Sequence, residues 1–273
     1  MTHTQSILVD IHTKTGVAVL TLNRPAQYNA FDLTMIEQWR DALARIESET
    51  DVRALVVTGA GKAFCAGGDI AELESFLSMD ALQRKHYLWM NVHQIPLLLE
   101  RIDCPVIAAI NGTARGAGLD MALMCDLRIM DESTAVAESY IHLGLMPGDG
   151  GSWFLPRLVG MPRALELLWT GDPIDAKTAH EIGLINHISP PGKAREYALA
   201  LAERIARQPT QAVRFTKRAV YQSMGASMSL RAHLDAVSSH MAVLEETVEF
   251  RQRLEALHEE RAHRISIRKG RQD

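Results

Sequence analysis

The sequence is short of several things, and each shortage excludes a class of protein. It has no window of 18 apolar residues, and the run PVIAAI at 105–110 is far too short to cross a bilayer, so no membrane partner is expected. The opening MTHTQSILVD has no basic stretch followed by an apolar one, so no signal peptide is expected and the location reads as cytoplasmic. Only three cysteines occur, Cys65, Cys104 and Cys125, and none forms a CxxC pair. An odd set in apolar or glycine-rich surroundings reads as reduced, buried thiols in a reducing compartment. Strong charge of one sign is also missing: a net charge of −4 gives no general attraction to nucleic acid. Histidines, cysteines and carboxylates nowhere fall at metal-ligand spacing, so no metal is expected. The one strongly basic stretch, 261–273, reads as a solvated tail.

What is present is an ordinary globular mixture, 47% apolar and 23% charged over 273 residues, enough for a large core. Strands are expected at 7–11, 16–22, 53–58, 105–110 and 127–130. Asp32 is placed to cap a helix over 33–46, in which Met35, Ile36, Trp39, Leu43 and Ile46 share one face. Residues 81–102 have helical composition, with Pro96 as the expected break. After about residue 150 the strand signal fades, and helices are expected at 151–159, 163–170, 176–181, 194–206, after Pro209, and over 229–261 as one long helix or a pair. Repeated β–α units imply an α/β fold with a parallel sheet, in a core over 1–200, followed by a helical region over 201–273.

Three familiar signatures fail on inspection. Gly59-Ala60-Gly61 follows a strand, but Phe64 stands where a dinucleotide fingerprint needs its third glycine; Gly61-Lys62 is followed by Ala63, not by the hydroxyl that would hold magnesium. Ser152 lies in GGSWF, which is not a nucleophile elbow. What remains is a pair of strand–small-residue turn–helix junctions, VVTGAGKAFCAGGDI at 56–70 and PVIAAINGTARGAGLDMALMCDLRI at 105–129. Small residues let backbone N–H groups approach a ligand, and a helix N-terminus presents unpaired donors. Two such donors aimed at one point form an oxyanion hole.

Together with LNRPAQYNAFD (22–32), LGLMPGDGG (143–151), LPRLVG (155–160) and ETVEFRQRLEALHEER (246–261), these junctions resemble the enoyl-CoA hydratase/isomerase (crotonase) superfamily. The resemblance runs from about residue 5 to residue 262. It implies a spiral of stacked ββα units, a helical C-terminal region that builds trimers or hexamers, and a coenzyme A thioester as substrate. No cofactor is implied, since coenzyme A enters as part of the substrate. Carried over by position, the oxyanion donors would be the N–H groups of Ala66 and Ala117. Arg24, Ala63, Phe64, Gly67, Asp69 and Ile70 would line the coenzyme A end, with Asp69 either capping the next helix or meeting adenine. Trp89, Met90, Trp153 and Phe154 are candidates for the pocket wall.

The departures from the family pattern bear on the reaction. Hydratases of the family carry two glutamates beside the double bond; here those positions hold Asp120 and Tyr140, and a third acidic position is Asp149 in PGDGG. Glu138, two residues before Tyr140, reads as structural. With Asp120, Asp149 and Tyr140 as catalytic candidates, hydration of a 2-enoyl-CoA is the leading expectation, one aspartate activating water and another acid serving C2. Double-bond isomerisation, which needs one carboxylate, and C–C bond hydrolysis are the alternatives within the family. A non-catalytic acyl-CoA binder is the alternative outside enzymes.

Overall fold

The computed structural model describes residues 5–224, 229–256 and 259; the basic tail lies outside them. The chain forms two compact units, residues 1–206 and 207–273.

The first unit opens with β1 (Ile7–His12) and β2 (Val17–Leu22), then α1 (Leu33–Ser48), β3 (Ala54–Gly59), β4 (Ala63–Cys65), α2 (Ile70–Ser75), α3 (Ala81–Tyr87) and α4 (Gln94–Arg101). It continues through β5 (Val106–Ile110), β6 (Thr113–Arg115), α5 (Ala117–Leu123), β7 (Leu127–Asp131) and β8 (Ala135–Ala137). It closes with α6 (Gly151–Val159), α7 (Met161–Thr170), β9 (Ile174–Asp175), α8 (Ala176–Glu181), β10 (His187–Ser189) and α9 (Ala194–Ala206). One sheet runs β1-β2-β3-β5-β7-β10, parallel except for the β1–β2 hairpin; a second runs β4-β6-β8-β9. Each of β3, β5 and β7 in the first sheet is thus followed by a short strand in the second, a repeating ββ step of a spiral, and a helix follows each step.

Burial on both faces explains why β3 and β5 read as unbroken apolar runs. Alternate residues point to opposite faces. Leu55, Val57, Val106 and Ala108 join the main core with Met35, Ile36, Trp39, Leu43 and Ile46 of α1, while Ala54, Val56, Ile107 and Ala109 meet α9. Asp32 caps α1, accepting from Met35 N–H at 2.8 Å. On α9 the residues Ala198, Ala202 and Ala206, spaced by four, bring the helix close against the sheet. This stripe is why the first unit runs to Ala206 and does not stop at the expected 200/201 boundary, which would cut α9 and strip the second face of the sheet.

Other expectations need correction. The first junction, read as strand, small-residue turn and helix over 56–70, also contains β4. The strand signal does not end at 150: β9 extends the small sheet and β10 the large one. The break in 81–102 is not at Pro96 but at a π-helical turn, Leu88–Val92. Pro96 sits in the first turn of α4, where its missing N–H would have no intrahelical acceptor. All three cysteines are buried and none is in a disulfide.

The second unit contains α10 (Thr210–Ser223) and α11 (Leu230–Glu245), the latter capped by Ser229. A turn at 246–247 separates α11 from further helix over 248–256, so the region expected as one helix or two is a pair. Phe215 and His240 stack with ring centroids 4.8 Å apart. Met241, Val248 and Leu254 are exposed and Leu244 is half-buried.

Candidate active site

The first junction is organised by a residue that sequence reading passed over. Tyr28 and Asn29 both adopt positive φ, and Asn29 is fully buried. Its amide nitrogen donates to the carbonyls of Ala60 (2.9 Å) and Ala63 (2.8 Å), while its oxygen accepts from Arg24 N–H (2.9 Å). The available signal was an asparagine at a turn, the residue that best tolerates a left-handed conformation after glycine. Beside it, Arg24 pairs with Asp32 (3.1 Å) and Asp69 (2.9 Å) and donates to the Ala30 carbonyl. Asp69 also caps α2 through Ala71 N–H at 3.0 Å.

These contacts revise the residues expected at the coenzyme A end. Ala63 and Phe64 have fully buried side chains within the core, so neither side chain can line a ligand site. Ile70 is exposed, and Gly67 lines the cavity described below. Ala66 must be corrected as an oxyanion donor: its N–H already donates to the Tyr28 carbonyl at 3.0 Å. The amide of Gly68, two positions on, differs. In the parallel bridge between Phe31 and Gly68, the bonds run from Phe31 N–H to the Gly67 carbonyl (2.8 Å) and from Asp69 N–H to the Phe31 carbonyl (2.9 Å). The Gly68 N–H itself has no acceptor among the described residues. Ala117 remains as expected in position: it is the first residue of α5, where the N–H has no intrahelical acceptor. The two turns meet because α5 is pressed on β4. A Cβ at Gly118 would lie 2.0 Å from the Cys65 carbonyl oxygen, so only glycine allows this approach.

A cavity of about 390 Å³ opens over Gly68 and Ala117. Phe31, Leu73, Phe76, Leu88, Val92 and Met146 give it a mostly apolar wall. Two carboxylates line it: Asp149, and Glu72, which accepts from the Tyr87 hydroxyl at 2.8 Å and was not anticipated. Tyr140 lines it as well, packing its ring edge 3.5 Å from where a Cβ on Gly116 would stand, next to the Ala117 amide. Asp120 does not line it. Nor do Trp89, Met90, Trp153 or Phe154; Trp153 instead stacks under Arg157 at 3.4 Å.

Behind the wall lies a cluster of acids. The Tyr140 hydroxyl stands 2.8 Å from Asp120 Oδ2 and 2.8 Å from Asp149 Oδ2, and Asp149 N–H donates to Asp120 Oδ2 at 3.2 Å. Asp120, Glu138 and Asp149 are 0%, 2% and 6% exposed. Burial above all, then the charge of Asp149, pushes the Asp120 carboxyl up to about 6. Burial, then the charge of Asp120, pushes Glu138 well above the ordinary carboxylate range. Burial also raises Asp149, against the pull of the Tyr140 hydrogen bond and the charge of His93. Tyr140 is driven far up by burial and by the two aspartates, so its phenol stays neutral. The three sequence candidates Asp120, Tyr140 and Asp149 are thus brought together, but in depth order: Tyr140 and Asp149 face the cavity and Asp120 stands behind them.

An apolar cavity with free amide donors at one place and a raised carboxyl beside them suits a thioester carbonyl and proton chemistry next to it. The comparisons with known proteins agree. The enoyl-CoA hydratase/isomerase family matches residues 12–264, and the chain belongs to that family. It is 36% identical to a short-chain-enoyl-CoA hydratase of Clostridium acetobutylicum, over 76% of this chain and 78% of the relative. It is 33% identical to a 1,2-epoxyphenylacetyl-CoA isomerase of Escherichia coli, over 90% and 93%. Its fold superposes on the crystal structure of an enoyl-CoA hydratase from Bacillus anthracis with a TM-score of 0.85 at 36% identity, covering 94% of this chain and 97% of that one. The chain is therefore an α/β protein of crotonase fold and a member of an enzyme family that acts on acyl-CoA thioesters. Among the described residues no helix is long and apolar enough to cross a membrane.

Proposed function

We propose that this enzyme moves the double bond of an enoyl-CoA thioester, using Asp149 as the carboxylate that carries the proton. The observation that supports this is the depth order: of the two aspartates first considered for a two-carboxylate hydration, only Asp149 lines the cavity, and Asp120 is enclosed behind Tyr140. In this reading the thioester oxygen accepts from Gly68 and Ala117 N–H, each donor lowering the barrier by about 3–4 kcal/mol in a water-poor site. Asp149 takes a proton from C2 of a 3-enoyl-CoA, the electrons pass into a dienolate held by the two donors, and the same proton is returned at C4. Nothing is gained or lost overall. A carboxyl raised by burial is the stronger base once ionised, and the neutral Tyr140 phenol orients it by hydrogen bonding.

Hydration of a 2-enoyl-CoA is the second reading. It is favoured by the adjacency of Tyr140 to Asp149, which puts a second proton-bearing group on the cavity wall. A panel of 2-enoyl- and 3-enoyl-CoA esters separates the two by mass: isomerisation leaves it unchanged, hydration adds one water. Saturable binding of every ester with turnover of none would mark a non-catalytic binder. We further propose a homotrimer or hexamer, supported by the exposed Met241, Val248 and Leu254 of the helical second unit; a monomer by light scattering at micromolar concentration would exclude it.

A further inference from the structure

The cluster behind the cavity holds more protons than its drawn bonds supply. A phenol has one hydrogen, yet the Tyr140 oxygen is 2.8 Å from two carboxylate oxygens, so one of those two carboxyls must be protonated. Asp120 Oδ1 and both oxygens of Glu138 have no hydrogen bond of ordinary geometry among the described residues, although the Gly151 N–H lies close enough to Asp120 to favour its charged form. They face one another across Gly151, where a Cβ would lie 2.2 Å from Asp120 Oδ1 and 3.1 Å from Glu138 Oε1. Two carboxyls in that position form a hydrogen bond only by sharing a proton. Glu138 is 2% exposed and does not line the cavity, so it plays no direct part in the chemistry proposed above.

We infer that Glu138 is a positioning residue that acts as a fixed neutral acid, donating to Asp120 Oδ1 and thereby setting, through Asp120 and Tyr140, how readily Asp149 gives up its proton. The inference rests on the reading of Asp149 as the proton carrier. Two arrangements contain the same protons. In one, Asp120 is anionic, takes the Glu138 and Tyr140 hydrogens, and Asp149 carries a proton on the phenol oxygen. In the other, Asp120 holds a proton against the phenol oxygen and the phenol donates to an anionic Asp149. They interconvert when one proton passes from Asp149 to Tyr140 and another from Tyr140 to Asp120. A donor on Asp120 Oδ1 favours the first arrangement and keeps Asp149 the harder group to ionise. The preference of burial for neutral Glu138 agrees with this. The titratable groups facing the cluster are Asp120 on α5, Tyr140 on the turn that follows Glu138, Asp149 ahead of α6, His93 ahead of α4, and Cys65 on β4, whose buried thiol is pushed up to about 12.

The test follows kcat/KM against pH in the full chain, with trans-3-hexenoyl-CoA as probe, for wild type, Glu138→Gln, Glu138→Leu and Asp149→Asn. Glutamine is a permanently neutral donor of the same shape, so it should keep the acid limb in place and kcat within about threefold. Leucine removes the donor, so Asp120 keeps its own proton and Asp149 ionises more easily. The acid limb should then move down by about one pH unit and maximal kcat should fall about tenfold, because the base is weaker. An unmoved limb in a folded leucine variant overturns the inference. Where circular dichroism shows that the leucine variant has not folded, glutamine decides alone: a tenfold loss or a displaced limb overturns it. Asp149→Asn separates the two claims. If it is inactive while both Glu138 variants match wild type, only this inference falls; if it keeps wild-type turnover, or wild type does not convert the probe, the reading of Asp149 falls and this inference with it.

Discussion

Two charged clusters lie a few residues from the same cavity, and they are built on opposite principles. Around Arg24 one cation meets two carboxylates, Asp32 and Asp69, and each of these also caps a helix. Every charge there has a partner of the other sign or a backbone donor, and the group ties the 24–32 turn to the start of α2. Around Tyr140, three carboxyls are buried together with no cation in bonding contact. Burial of like charges costs stability and raises pKa values, which is what proton-transfer sites do and structural ion pairs avoid. The contrast supports reading the first cluster as architecture and the second as the seat of the proposed proton transfer.

The hardest test of that contrast removes the cavity-facing acid. Asp149→Asn preserves shape and removes the base, so turnover should fall about 10²–10⁴-fold while binding of an acyl-CoA, read by calorimetry, stays within a few-fold. Full turnover in this variant would reduce the acid cluster to structure. The Arg24 cluster should respond in stability: Arg24→Ala leaves two partly buried carboxylates unpaired and should cost about 2 kcal/mol in urea denaturation. A change below a few tenths would mean that solvent already screens these pairs.

The subtlest difference is in pH. Burial raises the paired carboxyls of this cluster, Asp120 from 3.8 to about 6 and Asp149 in the same direction, so between these values the native cluster holds a proton, shared by the pair, that the unfolded chain has released. Its contribution to stability is therefore full below about pH 4 and is lost as the pH rises through about 6. The melting temperature of wild type should decline across that window, and Asp120→Asn, neutral throughout, should flatten the decline. An equally steep slope in the variant would shift the effect to Glu138 or Asp149.

Much of the first cluster could be read in advance and little of the second. Asp32 was assigned as a cap from its position before an apolar periodicity, and capping is local: the acceptor lies three residues from its donor. Arg24 and Asp69 were both expected at the same end of the site, although their pairing was not. In the acid cluster the residue types were legible, but their depth was not. Asp120, Glu138, Tyr140 and Asp149 come from a helix, the segment after a strand, a turn and a loop, and nothing in their spacing says which face the cavity. Glu138 therefore read as structural, and Asp120 as a direct participant.

Alternation of buried strands with helices, the α1 face, the buried reduced thiols, the two small-residue turns and the family were determined by the sequence itself, because each rests on residue type and short-range periodicity. Tertiary structure alone decided the rest. Ala66 loses its N–H to a carbonyl 38 positions away in sequence, at Tyr28, whereas the Gly68 N–H has no acceptor among the described residues. Pro96 turned out to begin a helix, where it was expected to break one. The first unit extends to Ala206 because an alanine stripe covers the far face of the sheet. In each case the deciding quantity is which partner a backbone or side-chain group finds across the fold, and a hydrogen bond or a packed face between distant segments leaves no periodic trace in the chain.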